Sequence, residues 1–96
     1  MTTLTVTAER EKGVRPLLGA AIGNEIRLLM AGIRKTERRL QEFERAHGLT
    51  TDIFIQKYET GEMNENLVWD EWIGESRTLA RLHDNLEALQ GVRIED

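Results

Sequence analysis

The sequence predicts an all-α protein built as a long helical hairpin: a long helix, a short corner helix and a second long helix, preceded by a short N-terminal β-strand. Three observations predict it. Leu18, Ile22, Ile26, Leu29, Ile33, Thr36, Leu40, Phe43 and His47 recur every three or four residues. Val68, Trp72, Glu75, Leu79, Leu82, Leu86 and Leu89 do the same. A mean spacing of about 3.5 residues keeps one stripe turned toward a partner helix, as in a coiled-coil seam. Between the two stripes, Gly48 and Gly61 bracket a short segment with its own helical spacing.

The elements follow in order. Residues 3 to 7 alternate threonine with Leu4 and Val6, a strand signal from β-branched residues at period two. One strand cannot pair with itself, so a mate is expected from a symmetry-related copy or another protein. Residues 9 to 13 are charged and read as a turn. Pro16 suits the first turn of a helix, where its missing N–H costs nothing, and the long helix is expected over about residues 16 to 47, closed by Gly48. Such a helix is roughly 48 Å long, more than a compact globule of this size accommodates. Gly19, Gly23 and Gly32 weaken its first half, and Gly23-Asn24 is a candidate break.

Thr50 or Thr51 can cap a corner helix over about residues 51 to 60, which carries Ile53, Phe54 and Tyr58. After a polar connector, the last helix is expected over about residues 65 to 90, closed by Gly91. Short connections between long helices fold the chain back on itself. A single domain over residues 1 to 96 accounts for everything.

Composition narrows the function. The chain has 96 residues, a net charge of −4 and no cysteine. Disulfides, thiolate catalysis and Cys-based zinc sites are therefore out. The acidic balance argues against a protein whose main surface grips nucleic acid. No signal peptide is visible, and residues 17 to 30 contain Asn24, Glu25 and Arg27, which is expected to keep them out of a bilayer. A cytoplasmic protein without membrane contact is the expectation. A small, charged helical chain gains core by oligomerising, so a homodimer is expected through Leu4, Val6, Ile22, Ile26, Leu29, Ile33 and Leu40.

Catalytic constellations are scarce. Glu44 and His47 have a Glu-x-x-His spacing, but di-metal bundles use that motif twice, and Ala80 occupies the matching place before His83. His47 reads as a structural residue beside the Gly48 cap. Gly61 separates Glu59 from Glu62 and spoils a magnesium pair. Ser76 is the chain's one serine, with only His83 in the vicinity, and no Gly-rich phosphate loop follows a strand. No enzyme activity, cofactor, metal or small-molecule substrate is expected.

Charge is unevenly spread. Residues 59 to 75 hold Glu59, Glu62, Glu65, Asp70, Glu71 and Glu75, with no Lys or Arg, and both tryptophans, Trp69 and Trp72. Residues 34 to 39 are the basic counterpart. Part of this is helix-dipole complementarity. Acid around tryptophan is also the composition of a surface that docks a basic partner, with Trp69, Asp70, Glu71, Glu62 and Glu65 facing it. Trp69 is the expected exposed anchor, while Trp72 falls on the apolar stripe. DNA binding is the rival reading: a threonine strand before two helices suggests a ribbon-helix-helix arrangement, with Thr3, Thr5 and Thr7 toward bases and Arg10, Lys12 and Arg15 on phosphates. The excessive helix length and the neighbouring Glu9 and Glu11 weigh against it.

Glu42-Phe43-Glu44-Arg45-Ala46-His47-Gly48-Leu49-Thr50-Thr51-Asp52-Ile53-Phe54, then Tyr58-Glu59-Thr60-Gly61-Glu62 and Trp69-Asp70-Glu71-Trp72, resemble a set of small acidic helical proteins of archaea and bacteria. These share a long helix, a Glu-Phe-Glu run, a glycine followed by Met and Ser or Thr, a Gly-Glu turn and an acidic aromatic segment. Leu49 stands in place of that Met. Genes of this kind often lie beside a small nuclease-like or nucleotidyltransferase-like toxin, and several of the proteins are treated as antitoxins. The resemblance covers about residues 4 to 90. It implies a noncatalytic, antitoxin-like module that neutralises a basic partner. A structural homo-oligomeric adaptor is the remaining alternative.

Overall fold

The computed structural model describes residues 2 to 6 and 13 to 95. Its elements run β1 (Thr2–Thr5), α1 (Val14–His47), α2 (Thr51–Glu59), α3 (Leu67–Gln90) and β2 (Val92–Glu95). The long-short-long helical hairpin is therefore present, with its N-terminal strand. Of the expected charged turn only Gly13 is described; Thr7, Glu9, Arg10, Glu11 and Lys12 lie outside the described residues.

α1 is one unbroken helix of 34 residues, about 51 Å long at 1.5 Å per residue. Gly23-Asn24 does not interrupt it. Pro16 sits inside its first turn, where no intrahelical N–H bond is lost. The helix stops at Gly48, whose φ of 66° is left-handed and whose N–H donates to the Glu44 carbonyl; a side chain there costs roughly 1–2 kcal/mol.

α3 packs antiparallel on α1. Phe43 lies by Trp72, Arg39 by Glu75, and a Cβ on Gly32 would meet Leu82 at 3.4 Å. Each step down one helix is a step up the other. At the same rise, α3 ends about level with residue 24 of α1. The rest of α1 runs past it, and the molecule measures 58 × 22 × 19 Å.

The two apolar stripes are thus spent largely on each other. Leu29, Ile33, Thr36 and Leu40 are buried within the chain, as are Trp72 and Ile73. Of the residues expected at a dimer interface, Leu29, Ile33 and Leu40 are covered inside one chain. Ile22, Ile26 and Val6 are half-buried, and Leu4 is exposed.

The strand expectation is corrected. β1 pairs in parallel with the chain's own β2, Thr2 opposite Val92 through Thr5 opposite Glu95, so no second molecule is needed for its first partner. The alternation in Val92-Arg93-Ile94-Glu95 supplies that mate. Both strands lie at the open end of the hairpin, since β2 leaves the end of α3 and β1 precedes the start of α1. α1 is, moreover, long and apolar enough to cross a membrane by length and composition, with 11% of the relevant stretch buried. Glu25 and Arg27 do not exclude it on that criterion.

Candidate protein-docking face

The closed end of the hairpin is organised by an aromatic stack. Trp72 and Phe54 are fully buried, their ring centroids 3.9 Å apart and their planes stacked nearly parallel. Phe43 covers the same indole at 5.5 Å. His47 stacks on Trp72 at 5.6 Å and meets Trp69 edge-on at 4.8 Å. A buried indole needs a partner for its N–H, and Trp72 Nε1 donates to Thr51 Oγ1 at 3.0 Å.

Local hydrogen bonds set the short helix against this stack. Thr50 Oγ1 accepts from the Ile53 N–H at 3.2 Å, the N-cap bond foreseen for Thr50 or Thr51. The Thr51 N–H donates to Glu44 Oε2 at 2.7 Å. Glu44 therefore ties α1 to the first turn of α2, and His47 is engaged by two tryptophans. Among the described residues no group of three or more His, Asp or Glu side chains has an arrangement that could hold a metal ion. The Ser76 hydroxyl donates to the Ile73 carbonyl at 2.8 Å, a helix back-bond.

Outside this core lies the acid. Glu59, Glu62, Glu65, Asp70 and Glu71 are exposed, and Glu75 is partly covered by its ion pair with Arg39 at 2.9 Å. Asn66 caps α3, its side chain accepting from the Val68 N–H at 2.8 Å. That cap places Asp70 on the first turn, where the helix dipole favours a carboxylate. Tyr58 donates to Asp70 Oδ1 at 3.3 Å and so links α2 to α3. An open hollow of about 720 Å³ lies between Tyr58, Met63, Glu65, Leu67 and Asp70. Leu67 stands at its rim with 79% of its surface in solvent.

Sequence reasoning brought the four acids Glu62, Glu65, Asp70 and Glu71 to one end of the molecule. It misassigned Trp69, which is half-buried and packs against the core, with Phe54 at 5.6 Å. The exposed apolar side chain on this face is Leu67 instead, a residue off the 3.5-residue stripe and therefore visible in the sequence as an unplaced leucine. A second feature went unseen. A groove of about 670 Å³ among α1, α2 and α3 has Leu40, Ile55, Ile73 and Leu79 in its lining, with the acids Glu37, Glu44, Asp52 and Glu59 and also Arg77 and His83 beside them. Tyr58 lines both this groove and the hollow, so the two adjoin at that residue.

Comparison with protein-family models, with curated proteins and with solved structures gives no match.

Proposed function

We propose that the chain is a noncatalytic, antitoxin-like binding module that docks and neutralises a basic, nuclease-type protein through its acid-rimmed face. The observation that carries this reading is the pairing of opposite demands at the closed end. Leu67 is 79% exposed, Glu65 and Asp70 line the same hollow, and there is no Lys or Arg between residues 59 and 75. An apolar anchor inside an acidic rim fits a partner with an apolar patch ringed by Lys and Arg. A nucleic-acid-cleaving protein has such a basic surface because it must bind phosphates, and an acidic protein seated there competes with its substrate. The family resemblance points the same way.

The DNA-binding alternative draws less support. A ribbon-helix-helix domain needs a short first helix, whereas α1 is an uninterrupted 34-residue rod, and a net charge of −4 does not favour phosphates.

The test is functional. A basic nuclease-type protein sought in the genes flanking this one is assayed for cleavage of RNA with increasing amounts of this chain. Stoichiometric suppression, lost when Leu67→Asp is used, is the expected result. Undiminished cleavage at an excess of the wild-type chain contradicts the proposal.

A further inference from the structure

The open end of the hairpin carries two unmet demands that the docking face does not explain. The first is apolar. Leu17 is 70% and Leu28 59% exposed, and Ala21 between them is exposed too. At 100° per residue these three fall within about 40° of one another, on a strip distinct from the Leu29–Ile33–Leu40 stripe that faces α3. The second demand is hydrogen bonding. β1 and β2 make a two-stranded parallel sheet, and Thr3, Leu4 and Thr5 are all exposed. A two-stranded ribbon is marginal and parallel pairing is the weaker kind, and among the described residues no third strand adds to β1.

We propose that this end is a self-association surface for a second copy of the chain, joined β1 to β1 and strip to strip. A lipid bilayer is the competing occupant, because α1 is apolar enough for one. Hydrocarbon can cover Leu17 and Leu28, but it leaves the sheet edge without partners. A second copy meets both demands at once. Charge directs it to this end: residues 16 to 33 carry only Glu25 and Arg27, of opposite sign, whereas two acidic closed ends repel.

The edge that pairs is β1. Thr2–Thr5 has no charge, while β2 carries Arg93 and Glu95, the residue type that guards an edge against pairing. Two copies of one strand related by a two-fold axis run antiparallel, which gives a four-stranded sheet of order β2-β1-β1-β2 with facing threonines. Leu4, on this pairing strand, falls at the junction. The two docking faces then point away from each other, and each is open to a partner. The assembly stands whether or not the docking proposal does.

Sedimentation equilibrium of the full chain at micromolar concentration tests it. The expected mass is twice the chain's 11.0 kDa, and small-angle scattering gives a radius of gyration well above the single chain's 19.0 Å. Leu17→Glu and Leu28→Glu, both at solvent-facing positions, and Leu4→Lys each raise the dimer dissociation constant by about tenfold or more, with helical circular dichroism unchanged. A wild-type monomer across that range overturns the proposal, as does a dimer indifferent to all three substitutions. So does a monomer that floats with phosphatidylcholine–phosphatidylglycerol vesicles, which assigns the strip to lipid.

Discussion

At Trp72 three requirements converge: a large ring buried between Phe43 and Phe54, an N–H satisfied by Thr51, and a histidine closing the outer side. Trp72→Ala removes the centre of the stack and is expected to cost about 3–5 kcal/mol, read from the urea midpoint of helical circular dichroism. Thr51→Val leaves the indole N–H without its partner and should cost about 1–3 kcal/mol in the same titration. Trp69→Ala lowers stability by less than Trp72→Ala, since Trp69 is only half-buried. That ordering was partly legible in the sequence. Trp72 lies on the apolar stripe and Trp69 one step beyond Val68, so the burial of Trp72 followed from spacing. What spacing misses is reach. α2 crosses the start of α3, and Phe54 and His47 arrive from two other elements to cover an indole that α3 alone leaves bare.

Helix existence and order were readable because both stripes hold their period for many turns and glycines stop them. Their ends moved by two residues at most, α1 starting at Val14 and α3 at Leu67. β2 was missed because four residues carry little periodic signal, and its pairing with β1 spans nearly the whole sequence. The glycines within the helices separate two effects. A Cβ on Gly74 meets nothing within 4 Å, so Gly74→Ala should raise stability by about 0.5–1 kcal/mol through helix propensity. Gly32 faces Leu82 at 3.4 Å across the α1–α3 contact. Gly32→Leu overpacks that seam and should cost about 1–3 kcal/mol. Thermal melts of the two variants, shifting in opposite directions from the wild type, check both.

The two ends of the molecule differ: the closed end holds the acidic segment of residues 59 to 75, and toward the open end residues 16 to 33 of α1 carry only Glu25 and Arg27. The acid was plain from composition. Its placement beside the groove was not, because Glu37 on α1, Asp52 and Glu59 on α2 and Leu79 on α3 are brought together only by the fold. An electrostatic docking face makes a kinetic claim: charge reversal should act on association and on its salt dependence more than on dissociation. The most direct measurement is a calorimetric titration of the proposed partner, a basic nuclease-type protein sought in the genes flanking this one, into the wild-type chain and into the double variant Asp70→Lys, Glu71→Lys, at low and high salt. The account predicts tight binding by the wild type that weakens as salt rises, and a loss of about tenfold or more in the variant at low salt. Equal affinities for the two chains, or no binding by the wild type, would contradict it.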